Sequence, residues 1–149
     1  MPVDAISALR STVHRQRLDE AGVQEMLRRT RRGYHRTVAA LASTGNHVIM
    51  DYPLSEQRRL ADLLEVLDGF DVTLVDVMCS PAELARRERD RGDRPVGLAT
   101  NQRVYEHGDC DLSIDTTACT PDECAEHAVS HLDMLRRPKA FDRLRLAQA

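Results

Sequence analysis

The chain of 149 residues has no tryptophan, and aromatic residues make up only 3% of it. That argues against stacking platforms of the kind that hold single-stranded nucleic acid. Lysine is scarce as well: among 21 Lys and Arg, Lys139 is the one lysine. Chemistry that needs an active-site lysine therefore has a single candidate, near the C-terminus. Of the glycines at 22, 33, 45, 69, 92, 97 and 108, none precedes a lysine, so the phosphate-cradling pattern G-x-x-x-x-G-K-[ST] is missing. The dinucleotide pattern G-x-G-x-x-G is missing too. Cys79, Cys110, Cys119 and Cys124 form no C-x-x-C pair, which argues against zinc and fits reduced thiols in a cytoplasmic protein. No run approaches the roughly 18 apolar residues of a membrane span. A net charge of −3 gives no field that would gather nucleic acid or an anionic membrane.

What is present is an ordinary globular composition, 42% hydrophobic and 30% charged, at a length suited to one domain. Strand-like and helical segments alternate, which favours a parallel α/β sheet. Asp4 to about Arg17 reads as a short helix and Ala21 to Ala42 as a longer one, with Val23, Met26, Leu27, Tyr34, Val38 and Leu41 on one face. Arg28, Arg29, Arg31 and Arg32 fall largely on the opposite, solvated face. Gly45 ends that helix, and 47–50 reads as a short buried strand ending on Asp51. Ser55 is expected to cap a helix to about Leu67, followed by a strand at 71–78. Ser80-Pro81-Ala82-Glu83 and Thr120-Pro121-Asp122-Glu123 are both helix-start patterns, with the cap residue followed by Pro and by Glu at the third position. Between them a helix is expected at about 96–107 and a last strand at 112–114. The segment after Pro138 reads as a fraying tail. Three parallel strands are few for this length, as if an element were missing at the front.

Two segments point to chemistry. Arg86, Arg87, Arg89, Arg91 and Arg94 surround Gly92 at a helix end. Converging guanidiniums stabilise the charge that spreads over a moving phosphoryl group, and a glycine hinge suits a closing lid. A solvated helix end salt-bridged through Glu88, Asp90 and Asp93 explains the same run equally well. Asp51 follows an apolar strand directly, and ligands of open α/β sheets sit at such strand ends, although a turn before Pro53 is the simpler reading. Cys124, His127 and His131 share a helix face, but one face rarely completes a metal site, and no metal site is assigned. His107, ahead of Gly108, is either a polar site group or a helix-end residue.

The order of residues across 71–125 resembles the chloramphenicol phosphotransferase family of small P-loop kinases. It runs from Val77-Met78-Cys79 through Glu83-Leu84, Arg87-Glu88 and Arg91-Gly92-Asp93-Arg94. It continues with Gly97-Leu98-Ala99, Gln102, His107, Asp111-Leu112, Ile114-Asp115-Thr116-Thr117, Pro121 and Glu123-Cys124-Ala125. Val3-Asp4 is similar to the end of the family's second strand. The resemblance implies a three-layer, P-loop-kinase-like parallel sheet over 1–137 with a lid at about 86–95, followed by the tail at 138–149. It also implies that the first, central strand, the P-loop and the first helix are missing.

The resemblance further implies ATP-dependent O-phosphorylation of a small-molecule hydroxyl, an antibiotic among the candidate acceptors, with ATP and Mg²⁺ as cofactors. Asp4 would be the general base. Arg87, Arg91 and Arg94 would close over the moving group. Asp51, Gln102 and His107 would lie near substrate or phosphate. Without a P-loop, this chain is expected to have little activity alone. Its beginning suggests a start placed too late. The alternative is a genuine short binding or regulatory module, or one half of a split kinase. A homo-oligomer or a partner would then fill the empty strand position.

Overall fold

A computed structural model describes residues 19–92, 97, 99 and 108–148. Among them are five helices and two strands: α1 (Glu20–Ser43), α2 (Gln57–Val66), β1 (Val75–Met78), α3 (Pro81–Arg91), β2 (Leu112–Asp115), α4 (Pro121–Leu132) and α5 (Ala140–Gln148). The chain divides between Tyr34 and His35 into two compact units. The helix expected from Asp4 to Arg17 lies outside the described residues, as does the one at 96–107 apart from Gly97 and Ala99.

In the first unit α1 starts where Asp19 Oδ1 accepts the Gly22 amide at 2.8 Å, a side-chain cap of the usual kind. In the second unit the same helix buries His35 and Val38. It stops before Gly45, whose φ of 86° is a left-handed conformation that favours glycine. Leu41, placed on the apolar face by periodicity, is 47% exposed.

The sheet is parallel, as the alternation of elements predicted. β1 and β2 pair in register from Val75↔Leu112 to Met78↔Asp115. Leu112 and Ile114 point inward and Ser113 and Asp115 outward, the period-two pattern of a strand with one buried face. α4 packs on β2, and α2 packs against α5. Leu54, Leu60, Leu63, Leu64, Leu67, Phe141 and Leu144 complete the core.

Four expectations need correction. The strand predicted over 71–78 is only four residues long, because β2 offers only four partners. Its first half is held by side chains instead: Lys139 Nζ reaches Asp71 at 2.8 Å and Thr73 Oγ1 at 3.0 Å. The predicted strand at 47–50 does not form. A strand needs a neighbouring backbone to bond, and no described residue pairs with this segment, whose Ile49 is 99% exposed. Ser55 does not cap α2; Glu56 stands at the cap position without a side-chain bond to a helix amide, its carboxylate pairing with Arg58 and Arg59 instead, and Ser55 Oγ accepts from Arg59 at 3.1 Å. Finally, the segment after Pro138 does not fray. Ala140, Phe141 and Leu144 on α5 are 0%, 5% and 9% exposed.

A buried carboxylate fixes that last helix. Asp111 accepts the Leu74 amide at 2.8 Å on one oxygen and the Ala140 amide at 2.7 Å on the other. Arg145 adds a second tie across the core, donating to the Leu64 carbonyl at 3.0 Å.

Candidate functional site

Parallel pairing places the carboxyl ends of β1 and β2 side by side, the edge at which open α/β sheets bind ligands. Threonines stitch the two ends together. Thr116 donates its amide to the Met78 carbonyl at 2.7 Å, and Thr117 Oγ1 accepts the Ser80 amide at 2.8 Å. Thr117 is itself held by Asp115 Oδ1, through its amide at 2.8 Å and its hydroxyl at 2.5 Å.

The helix-start pattern after β1 works differently from the one after β2. Both caps accept the third-position amide. In α4 the capping box is complete, because Glu123 reaches back to the Thr120 amide at 2.7 Å. In α3 the Ser80 amide is taken by Thr117, and Glu83 turns to the arginines. It accepts from Arg86 Nε at 2.8 Å and from Arg87 Nε at 2.7 Å.

This separates the described arginines of the run. Arg86 is spanned by Glu83 and Asp90, the latter at 2.6 Å. Arg87 is anchored to the end of β2, donating to Thr116 Oγ1 at 2.9 Å and to the Thr116 carbonyl at 2.6 Å. Glu88 pairs with no described arginine; its carboxylate accepts the Gly97 amide at 2.8 Å and the Ala99 amide at 2.6 Å. Those bonds, the Ala99 one foremost, hold its carboxyl below the usual range. Arg91 is exposed and forms no hydrogen bond or ion pair with a described residue. It lies four residues after Arg87, hence on nearly the same face of α3, whereas Arg89 lies on the far side. Gly92 closes the helix with a φ of 64°, a left-handed cap that favours glycine.

Arg86 first, then Arg87, pull the Glu83 carboxyl down to about 2 from 4.5 through their hydrogen bonds. A depressed folded value means that Glu83 stabilises the fold fully above the unfolded value of 4.5, and that this contribution is lost as pH falls towards 2. Carboxyl-carbon NMR is expected to show Glu83 titrating near pH 2, and Glu83→Gln to remove part of the acid sensitivity of α3. Titration of Glu83 at its ordinary value would contradict the arrangement.

Asp51 is exposed at the end of the unpaired 47–50 segment, and no hydrogen bond or ion pair links it to Arg87 or Arg91. Asp4, Arg94, Gln102 and His107 lie outside the described residues. On α4, His131 Nδ1 donates to the His127 carbonyl at 2.9 Å, so that nitrogen is engaged within the helix. The reading of sequence missed Thr116 as the partner of Arg87. The four-residue spacing of Glu83 and Arg87 was a legible signal, but the cross-link to Thr116, far away in the chain, had none.

The sequence profile of the family described as chloramphenicol phosphotransferase-like protein matches residues 1–133. The chain belongs to this family. Two proteins from two strains of Mycobacterium tuberculosis, each described as a "Putative O-phosphotransferase", are 35% identical to it over 113 residues. The match covers 74% of this chain and 50% of each relative, so the chain spans about half the length of the curated relatives it matches. No solved structure matches it significantly.

The family implies a P-loop-kinase-like fold and, in general, a nucleotide and a metal. The described residues of this phosphotransferase-like chain do not fit that group by themselves. Their positive-φ glycines, at 45, 69, 92, 97 and 108, are not followed by the lysine and hydroxyl residue that complete a phosphate-wrapping loop. No group of three or more His, Cys, Asp or Glu is arranged to hold a metal among the described residues. No helix among them is long and apolar enough to cross a membrane.

Proposed function

We propose that this chain is part of an ATP-dependent O-phosphotransferase acting on a small-molecule hydroxyl, and that alone it transfers little or no phosphate. The observation that carries the reading is α3: Arg87 ties the helix to the carboxyl end of β2, while Arg91 on the same face is left without a described partner. An arginine so presented suits a transferred phosphoryl group, whose three oxygens match the guanidinium fork. Arg94 is the second candidate of this kind. Asp4 is proposed as the base that takes the hydroxyl proton. Asp51, Gln102 and His107 are proposed near substrate or phosphate. ATP and Mg²⁺ are proposed as the cofactors, held by a P-loop that this sequence does not contain. Antibiotic inactivation remains one reading of the acceptor.

A second reading is that the short chain is one half of a split kinase, or a binding module, completed by a partner or a second copy. Among the described residues β1 pairs on one side only, with β2, which favours it; Val77 and Met78 are 54% and 47% exposed, and Val48 and Ile49 are 37% and 99% exposed. Parallel strands are normally buried on both faces, so an apolar strand pairing with β1 would cover this surface.

Calorimetry of the 149-residue chain with ATP and Mg²⁺ tests the first reading. Binding weaker than about 1 mM is expected, because no preorganised amide cradle is supplied. Tight, Mg²⁺-dependent binding would overturn the predicted inactivity.

A further inference from the structure

Residues 51–55 run from the unpaired 47–50 segment to α2 without regular structure, yet side chains hold them closely. The Tyr52 ring meets the His35 ring edge-on, with centroids 5.1 Å apart and planes at 90°. The Arg59 guanidinium lies 5.8 Å from the Tyr52 ring centroid. The same guanidinium donates to the Pro53 carbonyl at 3.2 Å and to Ser55 Oγ at 3.1 Å. Leu54, between them, is 8% exposed.

His35 is itself fixed. It is 1% exposed, and its Nδ1 lies 2.5 Å from Asp62 Oδ2. Facing a carboxylate, Nδ1 carries the proton and the tautomer is set. Arg36 grips the same carboxylate, with Nη1 at 3.3 Å and 3.4 Å from its two oxygens. Burial pushes the Asp62 carboxyl up, but the hydrogen bonds from His35 and Arg36, helped by the Arg36 charge, outweigh it and hold the group below its usual range. An ionised Asp62 keeps the His35 ring in one orientation, and that orientation presents its ring to Tyr52. A space-filling role alone would be met at least as well by an apolar side chain, because a buried polar pair carries a desolvation cost.

We infer that His35 is a positioning residue for Asp51: locked by Asp62, its ring forms with Arg59 the seat for Tyr52 that sets the exposed carboxylate one residue before it. The inference rests on the reading of Asp51 as a group that faces ligand.

Backbone ¹⁵N relaxation of the 149-residue chain tests it at the amides of Asp51, Tyr52 and Leu54. In the wild type their order parameters are expected near the rigid value of about 0.85. His35→Ala removes the seat. His35→Asn keeps an amide N–H for Asp62 but removes the ring. Both are expected to drop the three order parameters below about 0.6 while α2 stays rigid. Leu144→Ala opens the same core without touching the seat; it is expected to lower stability and leave Asp51 rigid. If neither His35 variant folds, Tyr52→Leu removes the ring from the other side and is expected to give the same loss of order. A rigid Asp51 in any folded one of these three seat variants overturns the inference, and so does a loosened Asp51 in Leu144→Ala. The readout needs neither nucleotide nor turnover, so a failure of the phosphotransferase reading is seen separately, in ATP binding and in activity.

Discussion

Asp111→Ala is expected to destabilise the chain by about 2–6 kcal/mol, since each of the two buried donors left unsatisfied costs about 1–3 kcal/mol. The side chain is 4% exposed. Its two oxygens satisfy the amides of Leu74, just before β1, and Ala140, the first residue of α5. Its own amide donates to the Leu74 carbonyl at 2.8 Å, so one residue joins the entries of both strands to the last helix. Bonds donated to a carboxylate are stronger than those to a neutral acceptor, and no other described side chain takes these two donors. Asp111→Asn keeps one carbonyl acceptor where two oxygens are needed, so an intermediate loss is expected. Arg143→Ala is the control. Arg143 pairs bidentately with Asp109, donates to the Pro138 carbonyl and comes only to 3.8 Å from Asp111, but it is 39% exposed, and surface pairs of that kind are each worth about 1 kcal/mol or less. Urea unfolding measures all three: the midpoint for Asp111→Ala should fall with little change in slope. A loss no larger than that of Arg143→Ala would show that Asp111 is not the tie described.

That tie also shows where the sequence stopped being readable. Ala140, Phe141 and Leu144 sit at helical spacing, but behind Pro138 and among charges they read as a tail. The partners of this helix, Asp111 for Ala140 and the Leu64 carbonyl for Arg145, lie far away in the chain, and local periodicity says nothing about such pairing. The same limit explains the strands. Apolar, β-branched runs at 47–50 and 71–78 signal a willingness to pair, but strand length is set by the neighbour. β2 supplies four partners to one run, and no described residue supplies any to the other. Short-range chemistry was far more legible. Ser80 and Thr120 cap the helices that their patterns announced, and Gly45 and Gly92 take the left-handed conformation at helix ends. Of the candidate site residues, Arg87, Arg91 and Asp51 are described. Composition could not rank the arginines, because rank depends on which acid each one meets. Glu83 and Asp90 at three- and four-residue spacings settle Arg86, and Thr116 settles Arg87.

Arg91→Ala, in a catalytically complete protein carrying this sequence, is expected to lower kcat by about 10³-fold, the lower end of what a transition-state arginine supplies in phosphoryl transfer. That corresponds to about 4 kcal/mol of barrier, and KM should change little if the contact forms only as the group moves. Arg91→Lys keeps the charge but loses the planar fork, so it should recover only part of the rate. Arg87→Ala should behave differently. Its guanidinium already holds Glu83, Thr116 Oγ1 and the Thr116 carbonyl, so its loss leaves α3 tied to the end of β2 only through the Ser80 amide and Thr117, and should lower stability together with rate. Arg89→Ala, on the far face of the same helix, should leave both near wild type. The contrast separates the two readings of the arginine run. A solvated, salt-bridged helix end predicts that Arg91, which has no described acid to pair with, is the most dispensable of the three; a closing arginine predicts that it costs the most turnover and the least stability. Steady-state kinetics and thermal unfolding of the three alanine variants decide between them, and an unchanged kcat in Arg91→Ala removes Arg91 from the mechanism.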